Sequence, residues 1–353
     1  MSVPGGSGLL VRMLLAKPYL LFLGDSQSLT DCKTAAGLRD WCRPDVIGQH
    51  AIAGCSVDLG IPWLTPTQAA TAGARSLVIG VAPVGGAIPE RWWPALLAAV
   101  AAGLDIVSGM HTRLHQVPGL AAAAAAQGRT LWDVRHSERS WPAATGAKRT
   151  GRRVLTVGTD CALGKKYTAL ALTTALKALG YDATFRATGQ TGIMICGSGV
   201  AIDAVVADFV AGAAEWLSPA NAPDHWDVIE GQGALFHPAY AGVTLALVHG
   251  SQPDALVLCH DPARWTIDEY PDFPIPSLAT AMDQYLTAAR LTNRDARFVG
   301  ISLNTSQLDA ATRLRVRHDC EREHGLPVID PIRDGAGALA ARIASEFSRG
   351  AGV

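Results

Sequence analysis

Residues 154–168, Val-Leu-Thr-Val-Gly-Thr-Asp-Cys-Ala-Leu-Gly-Lys-Lys-Tyr-Thr, constrain the fold of this chain more than any other stretch. An apolar run ends in Gly158, passes through a tight loop and meets Gly164-Lys165 at the head of a helix-forming segment. A loop between a strand and a helix turns several backbone N–H groups toward one point. The helix terminus adds partial positive charge there, and Lys165 adds a full one. The pattern predicts a phosphate or diphosphate cradle made by Gly158, Thr159, Asp160, Cys161, Gly164, Lys165, Lys166 and Tyr167. The alternative is a glycine turn with a solvated lysine pair.

Two departures from the ordinary Walker A loop bear on chemistry. The span from Gly158 to Gly164 is one residue longer, and is similar to the variant loop of the dethiobiotin synthetase and cobyrinate amidase branch. The residue after Lys165 is Lys166, where nucleotide hydrolases carry the Ser or Thr hydroxyl that holds magnesium. A protonated lysine cannot ligate the ion and repels it. Thr168 is expected on another face of the helix. Such a loop is suited to binding phosphates and ill suited to hydrolysing Mg-ATP. Cys161 lies where a helix dipole and lysines lower a thiol pKa, so a covalent acyl-cysteine is conceivable. Small loop residues ordinarily serve backbone geometry instead.

Short apolar runs alternate with Ala/Leu-rich stretches along the whole chain, the rhythm of an α/β protein. Strands are expected at 19–23, 76–81, 105–108, 130–133, 154–157, 182–187, 226–230, 255–259 and 298–303. Helices are expected at 92–102, 120–127, 165–179, 201–216, 275–291 and 336–347. The polar, basic segment 144–153 marks a boundary. We therefore expect a Rossmann-like domain over 1–148 and a P-loop NTPase-like domain with a doubly wound parallel sheet over 149–353.

The chain is 49% apolar and 17% charged, which excludes a disordered protein. Thirty basic and 31 acidic residues leave a formal charge of −1, so no bulk field would draw nucleic acid or anionic lipid. No run is long enough for a membrane span, and 19–23 reads as a buried strand rather than a signal peptide. Seven scattered cysteines with no Cys-x-x-Cys pair indicate neither zinc site nor disulfide framework. Reduced thiols in a cytoplasmic enzyme are the simplest expectation.

Three further strand ends carry polar residues. Trp226-Asp-Val-Ile-Glu230-Gly-Gln-Gly233 places an acid before a Gly-x-Gly turn, so Glu230 and the phosphate loop are expected to face one crevice. Glu230 is then a base, a metal holder or a brace for the turn. Thr188, Gln190 and Thr191 follow another strand and offer polar contacts, to a ligand or to their own loop. Asn304-Thr305 ends a third, as a weaker candidate for an adenine or amide contact. Asp203 and Asp208, at i,i+5, are read as separate residues.

With these motifs in view, the chain resembles a known family. The carriers are 158–165, Ala187-Thr-Gly-Gln-Thr-Gly192, 201–210, Val228-Ile-Glu-Gly-Gln-Gly233 and Gly325-Leu-Pro-Val-Ile-Asp-Pro331, with 33–35, 78–82, 103–111 and 133–135 in the first half. Together they resemble a P-loop family long filed as a domain of unknown function, whose bacterial members include D-glutamate N-acetyltransferase. The resemblance spans about Tyr19 to Leu339. It implies acetyl transfer from acetyl-CoA to the amine of D-glutamate, the first step of a D-amino-acid catabolic route. Coenzyme A needs a phosphate cradle but no magnesium, so no metal is expected.

In that chemistry a base unmasks the amine, the amine attacks the thioester, and donors hold the oxyanion. Candidate bases are Glu230 and His111; His115 lies one helical turn beyond His111. Arg135 is placed to pair with a substrate carboxylate or to form a structural ion pair, and Lys33 lies in a loop of the N-terminal half. The runner-up activity is an ATP-dependent ligase or carboxylase resembling dethiobiotin synthetase. A third reading is a non-catalytic nucleotide sensor using the Gly80–Gly86 turn, although that turn lacks Gly-x-Gly-x-x-Gly spacing. A homodimer is expected on the frequency of symmetric pairs among such enzymes.

Overall fold

A computed structural model describes residues 15–82, 85–136 and 139–347. It divides into two compact units, Met1–Glu138 with Gly189–Ala204, and Arg139–Thr188 with Val205–Val353. The turn 80–86 therefore lies partly outside the described residues.

The first unit is built from β1 (Tyr19–Phe22), α1 (Lys33–Trp41), β2 (Val46–His50), α2 (Pro66–Thr71), β3 (Ser76–Ile79), α3 (Trp93–Ala101), β4 (Asp105–Ser108), α4 (Leu120–Gln127) and β5 (Leu131–Asp133). Its strands form a parallel sheet in the order β2-β1-β3-β4-β5. Every residue of β1, β3 and β4 is buried, which is why these strands read as unbroken runs instead of alternating ones. The Ala-rich α4 is bounded by Gly119 and Gly128, both left-handed.

The second unit contains β6 (Arg152–Gly158), α5 (Lys165–Ala178) and β7 (Ala183–Arg186). The chain next lends α6 (Gln190–Cys196) to the first unit. It returns with α7 (Val210–Leu217), β8 (Trp226–Ile229), α8 (Ala241–Ser251), β9 (Ala255–His260) and the hairpin β10 (Thr266–Ile267) and β11 (Tyr270–Pro274). It closes with α9 (Leu278–Arg290), β12 (Arg297–Leu303), α10 (Ala310–His324), β13 (Val328–Ile329) and α11 (Gly337–Phe347). The main sheet is parallel, in the order β13-β12-β9-β6-β8-β7. The order reverses beside β6, so the phosphate loop leaves the sheet at its switch point. Leu155, Val157, Leu256, Leu258, Ile301 and Leu303 pack there against Ala281, Tyr285 and Ala289 of α9.

Three features differ from the sequence reading. The compact units divide at 138/139, ahead of the expected 148/149. The segment after it is bound down to α7: Trp141 meets the Trp216 ring edge-on at 5.1 Å, and the Thr145 N–H donates to Glu215 at 2.8 Å. A Cβ on Gly212 would sit 1.8 Å from the Pro142 carbonyl oxygen. Second, 201–216 is not one helix but two 3-10 turns, Ile202–Ala204 and Ala207–Phe209, followed by α7. Asp203 is tied to Arg135 in the first unit, whereas Val210 onward packs in the second, so one helix cannot serve both. Third, α10 escaped the sequence reading because none of its residues is buried, which leaves no apolar period to detect. Its caps, the Asp309 side chain and left-handed Gly325, define it instead. Among the described residues, no helix is long and apolar enough to cross a membrane.

Replacing Gly212 by Ala should destabilise the protein by about 1–3 kcal/mol through overpacking against Pro142. Urea unfolding together with limited proteolysis of 139–150 would check it; an unchanged midpoint would mean the segment is not held as described.

Candidate phosphate site

The loop after β6 has the geometry that its sequence requires. Gly164, at φ +102°, caps α5, and Ala162 takes a left-handed φ of 54° within the turn. The first turn of α5 presents N–H groups that have no carbonyl within the helix to bond. Lys165 is buried, and its ammonium donates to the Asp160 carbonyl at 2.7 Å. Burial pulls its pKa below the usual lysine value. Lys166 places its ammonium 5.2 Å from the centre of the Tyr167 ring. The Thr168 hydroxyl turns into the core, bonding the Gly164 carbonyl at 3.1 Å and the Ser302 hydroxyl at 2.8 Å. It is therefore not a substitute for the hydroxyl that Lys166 replaces.

Asp160 is fully buried and its carboxylate braces the loop. One oxygen accepts the Cys161 N–H at 2.6 Å. The other accepts from Arg264 at 2.7 Å and from the Asp268 N–H in the β10–β11 turn at 2.8 Å. Thr159 shares a hydrogen bond of 3.0 Å with His260 Nδ1, and the Tyr285 hydroxyl donates to the Gly158 carbonyl at 2.8 Å.

Glu230 stands at the end of β8, next to β6, and is buried. Its carboxylate accepts the Thr188 N–H at 3.0 Å, and its carbonyl accepts the Thr188 hydroxyl at 2.7 Å. Gln232 donates to the Thr188 carbonyl. Gly231 passes so close to β6 that a Cβ would lie 1.6 Å from the Thr156 carbonyl oxygen and 3.2 Å from the Lys165 Cδ. The Glu-Gly turn thus packs on the stem of the loop lysine, and only glycine fits there.

The remaining expected residues belong to the first unit. Lys33 is exposed at the head of α1, and its neighbour Thr34 shares a 2.9 Å hydrogen bond with Thr191 of α6. Gln190 packs over Gly109, where a Cβ would meet its Cγ at 2.5 Å. His111 is exposed beyond the end of β4, its pKa lowered by partial burial and then by Arg135. Arg135 is buried and already committed, to Asp203 and to the Gly109 carbonyl at 2.8 Å. A substrate carboxylate would have to displace Asp203. Asn304 likewise donates to Asp261 at 3.0 Å. The expected residues thus fall into two groups: the loop, Thr188 and Glu230 in one unit, Lys33, His111, Arg135, Gln190 and Thr191 in the other.

His237 was missed. It is 3% exposed, and one of its ring nitrogens, the Cys161 sulfur and an Asp160 oxygen all lie within 4.8 Å of one another. Its position seven residues past Glu230, within Leu-Phe-His-Pro, carries no spacing signal that a motif search would notice.

Residues 142–340 match the family model described as a domain of unknown function, the DUF1611 C-terminal P-loop domain. Residues 49–137 match its Rossmann-like N-terminal partner. The chain belongs to the DUF1611 family. The expected Rossmann-like and P-loop architecture is that of DUF1611. The chain is 50% identical over 333 residues to a D-glutamate N-acetyltransferase of Tritonibacter scottomollicae, covering 94% of this chain and 100% of that protein. A D-glutamate N-acetyltransferase of Pseudoalteromonas sp is 43% identical over 331 residues, again 94% and 100%. The crystal structure of a DUF1611 family protein from Anabaena variabilis ATCC 29413 superposes with a TM-score of 0.84 at 36% identity, covering 94% of this chain and 100% of that one.

Burial pushes the pKa of His260 down to about 4, so the folded chain keeps it neutral where the unfolded chain, near 6.5, does not. Its contribution to stability is complete above pH 6.5 and is lost progressively as pH falls toward 4, on the order of 3 kcal/mol in all. Urea unfolding at pH 7 and pH 4.5 should show this loss shrinking in His260→Gln; an equal loss in both proteins would place the acid sensitivity elsewhere.

Proposed function

We propose that this chain is an N-acetyltransferase that moves an acetyl group to the amine of D-glutamate, with acetyl-CoA as donor. Similarity over nearly the whole chain to two D-glutamate N-acetyltransferases carries the reading. The loop chemistry supports the choice of donor. Coenzyme A brings a pyrophosphate and a 3′-phosphate, which suit the α5 terminus and Lys165. It brings no γ-phosphate whose transfer would need magnesium, which agrees with Lys166 at the magnesium-holding position and Thr168 turned inward.

The ammonium of D-glutamate has no lone pair, so one proton must leave before attack. Glu230 or His111 takes it. Glu230 sits against the loop lysine through the Gly231 turn and is held by Thr188. His111, with its lowered pKa, is neutral near pH 7 and so has a lone pair to offer. The amine then attacks the thioester carbonyl, donors hold the oxyanion, and the thiolate of coenzyme A leaves and takes up a proton. Lys33, Gln190 and Thr191 are assigned to D-glutamate, as is Arg135 if Asp203 gives way. The reaction would open a D-amino-acid catabolic route. The reduced thiols suit a cytoplasmic enzyme, and we expect it to act as a homodimer.

Mixing acetyl-CoA and D-glutamate with the protein should release free coenzyme A thiol, monitored by a thiol reagent. No release across a panel of D- and L-amino acids would sink the assignment. Lys165→Ala should weaken coenzyme A binding roughly 10- to 100-fold, the value of a lost set of charge-assisted contacts. Calorimetric titration would check this, and unchanged affinity would remove the loop from the donor site. Lys166→Thr should not create magnesium-dependent ATP turnover; if it does, the ligase reading gains.

A further inference from the structure

His237 lies on the turn between β8 and α8 and belongs to no motif used above. Its ring is wedged between aromatic neighbours, with centroids 4.5 Å from Tyr240 and 5.1 Å from Tyr270. Its Nδ1 accepts the Ala239 N–H at 3.1 Å. A backbone N–H can only donate, so Nδ1 carries the lone pair, and in the neutral ring the proton is on Nε2. Burial disfavours the charged ring and outweighs the opposing pull of Asp160, while nearby Lys165 also disfavours it. Among the described residues, the hydrogen bond to Nδ1 is the ring's own protein contact, and the Nε2–H is left open to an acceptor from outside the chain.

The neighbours of the ring indicate what the donor is for. The Cys161 sulfur and an Asp160 oxygen, on the turn of the phosphate loop, lie within 4.8 Å of one of its nitrogens. The Asp160 oxygens are already used by the Cys161 N–H, Arg264 and the Asp268 N–H. Asp160, Cys161 and His237 together have the composition of a metal site, but that occupied carboxylate and the Lys165 ammonium disfavour a cation. An anionic oxygen held by the loop is the acceptor that fits.

We propose that His237 completes the phosphate cradle as a neutral donor, giving its Nε2–H to an oxygen of the bound diphosphate. The cradle then holds a diphosphate ester with α5, Lys165 and an imidazole N–H, and without a divalent ion. This deepens the acetyl-donor reading and rests on it for the identity of the carrier, though not for the diphosphate itself.

The test titrates the full-length protein with inorganic pyrophosphate and with coenzyme A, each in EDTA. His237→Phe keeps a ring against Tyr240 and Tyr270 but removes the donor, and should weaken both ligands roughly 10- to 100-fold. His237→Gln, which restores an N–H, should recover part of the loss. Histidine-selective nitrogen NMR of the wild-type protein should show the Nε2–H tautomer and a shift of its signal when pyrophosphate is added; this readout survives if the variants do not fold. Unchanged affinity in the phenylalanine variant, an unmoved signal, or binding that needs an added divalent ion would each overturn the proposal. If pyrophosphate binding depends on His237 but no acetyl is transferred, the inference stands and the acetyltransferase reading falls. If acetyl is transferred normally by His237→Phe with unaltered affinity, the reverse holds.

Discussion

One buried carboxylate holds the site together. Asp160 has no solvent exposure, and both of its oxygens accept hydrogen bonds, from the loop's own backbone, from the hairpin turn and from Arg264. Removing any partner would leave buried negative charge short of donors, which costs several kcal/mol. That penalty ties the loop to the β10–β11 hairpin and sets the turn on which Cys161 and the α5 terminus are displayed. The phosphate loop is therefore braced by buried hydrogen bonds, and a loop held in this way pays little ordering entropy when an anion enters.

A second constraint is steric. Gly231 lets the end of β8 approach β6 to a distance that no side chain permits. This brings the Glu230 turn against the Lys165 stem. The two strand ends are neighbours in the sheet, so position comes from β pairing and fine adjustment from the glycine. Thr188 then links the end of β7 to Glu230. The loops after three neighbouring strands of one parallel sheet are tied together through backbone groups and through the side chains of Glu230, Thr188, Gln232 and Thr156.

Much of this was legible beforehand because its signals are local. The strand–loop–helix at 154–168 announces itself through Gly158, Gly164 and Lys165, and the all-buried strands β1, β3, β4 and β8 carry short apolar stretches. The substitution at Lys166 needed only its position. What stayed hidden depends on distant pairing. Nothing near Arg135 in sequence says that Asp203 will take its guanidinium, and nothing near His237 says that it will stand beside Asp160. The lending of α6 to the first unit was hidden as well, since a motif following β7 reads as part of the sheet that β7 belongs to. The exposed α10 lacked the one periodicity that composition can reveal.

The role proposed for the loop before α5 is to grip the diphosphate of the acetyl carrier without magnesium. Steady-state inhibition by inorganic pyrophosphate, measured in EDTA against each substrate in turn, tests that role. Pyrophosphate should then compete with acetyl-CoA and not with D-glutamate, with the same inhibition constant whether or not magnesium is present. Competition against D-glutamate instead, or inhibition that appears only with magnesium, would contradict it.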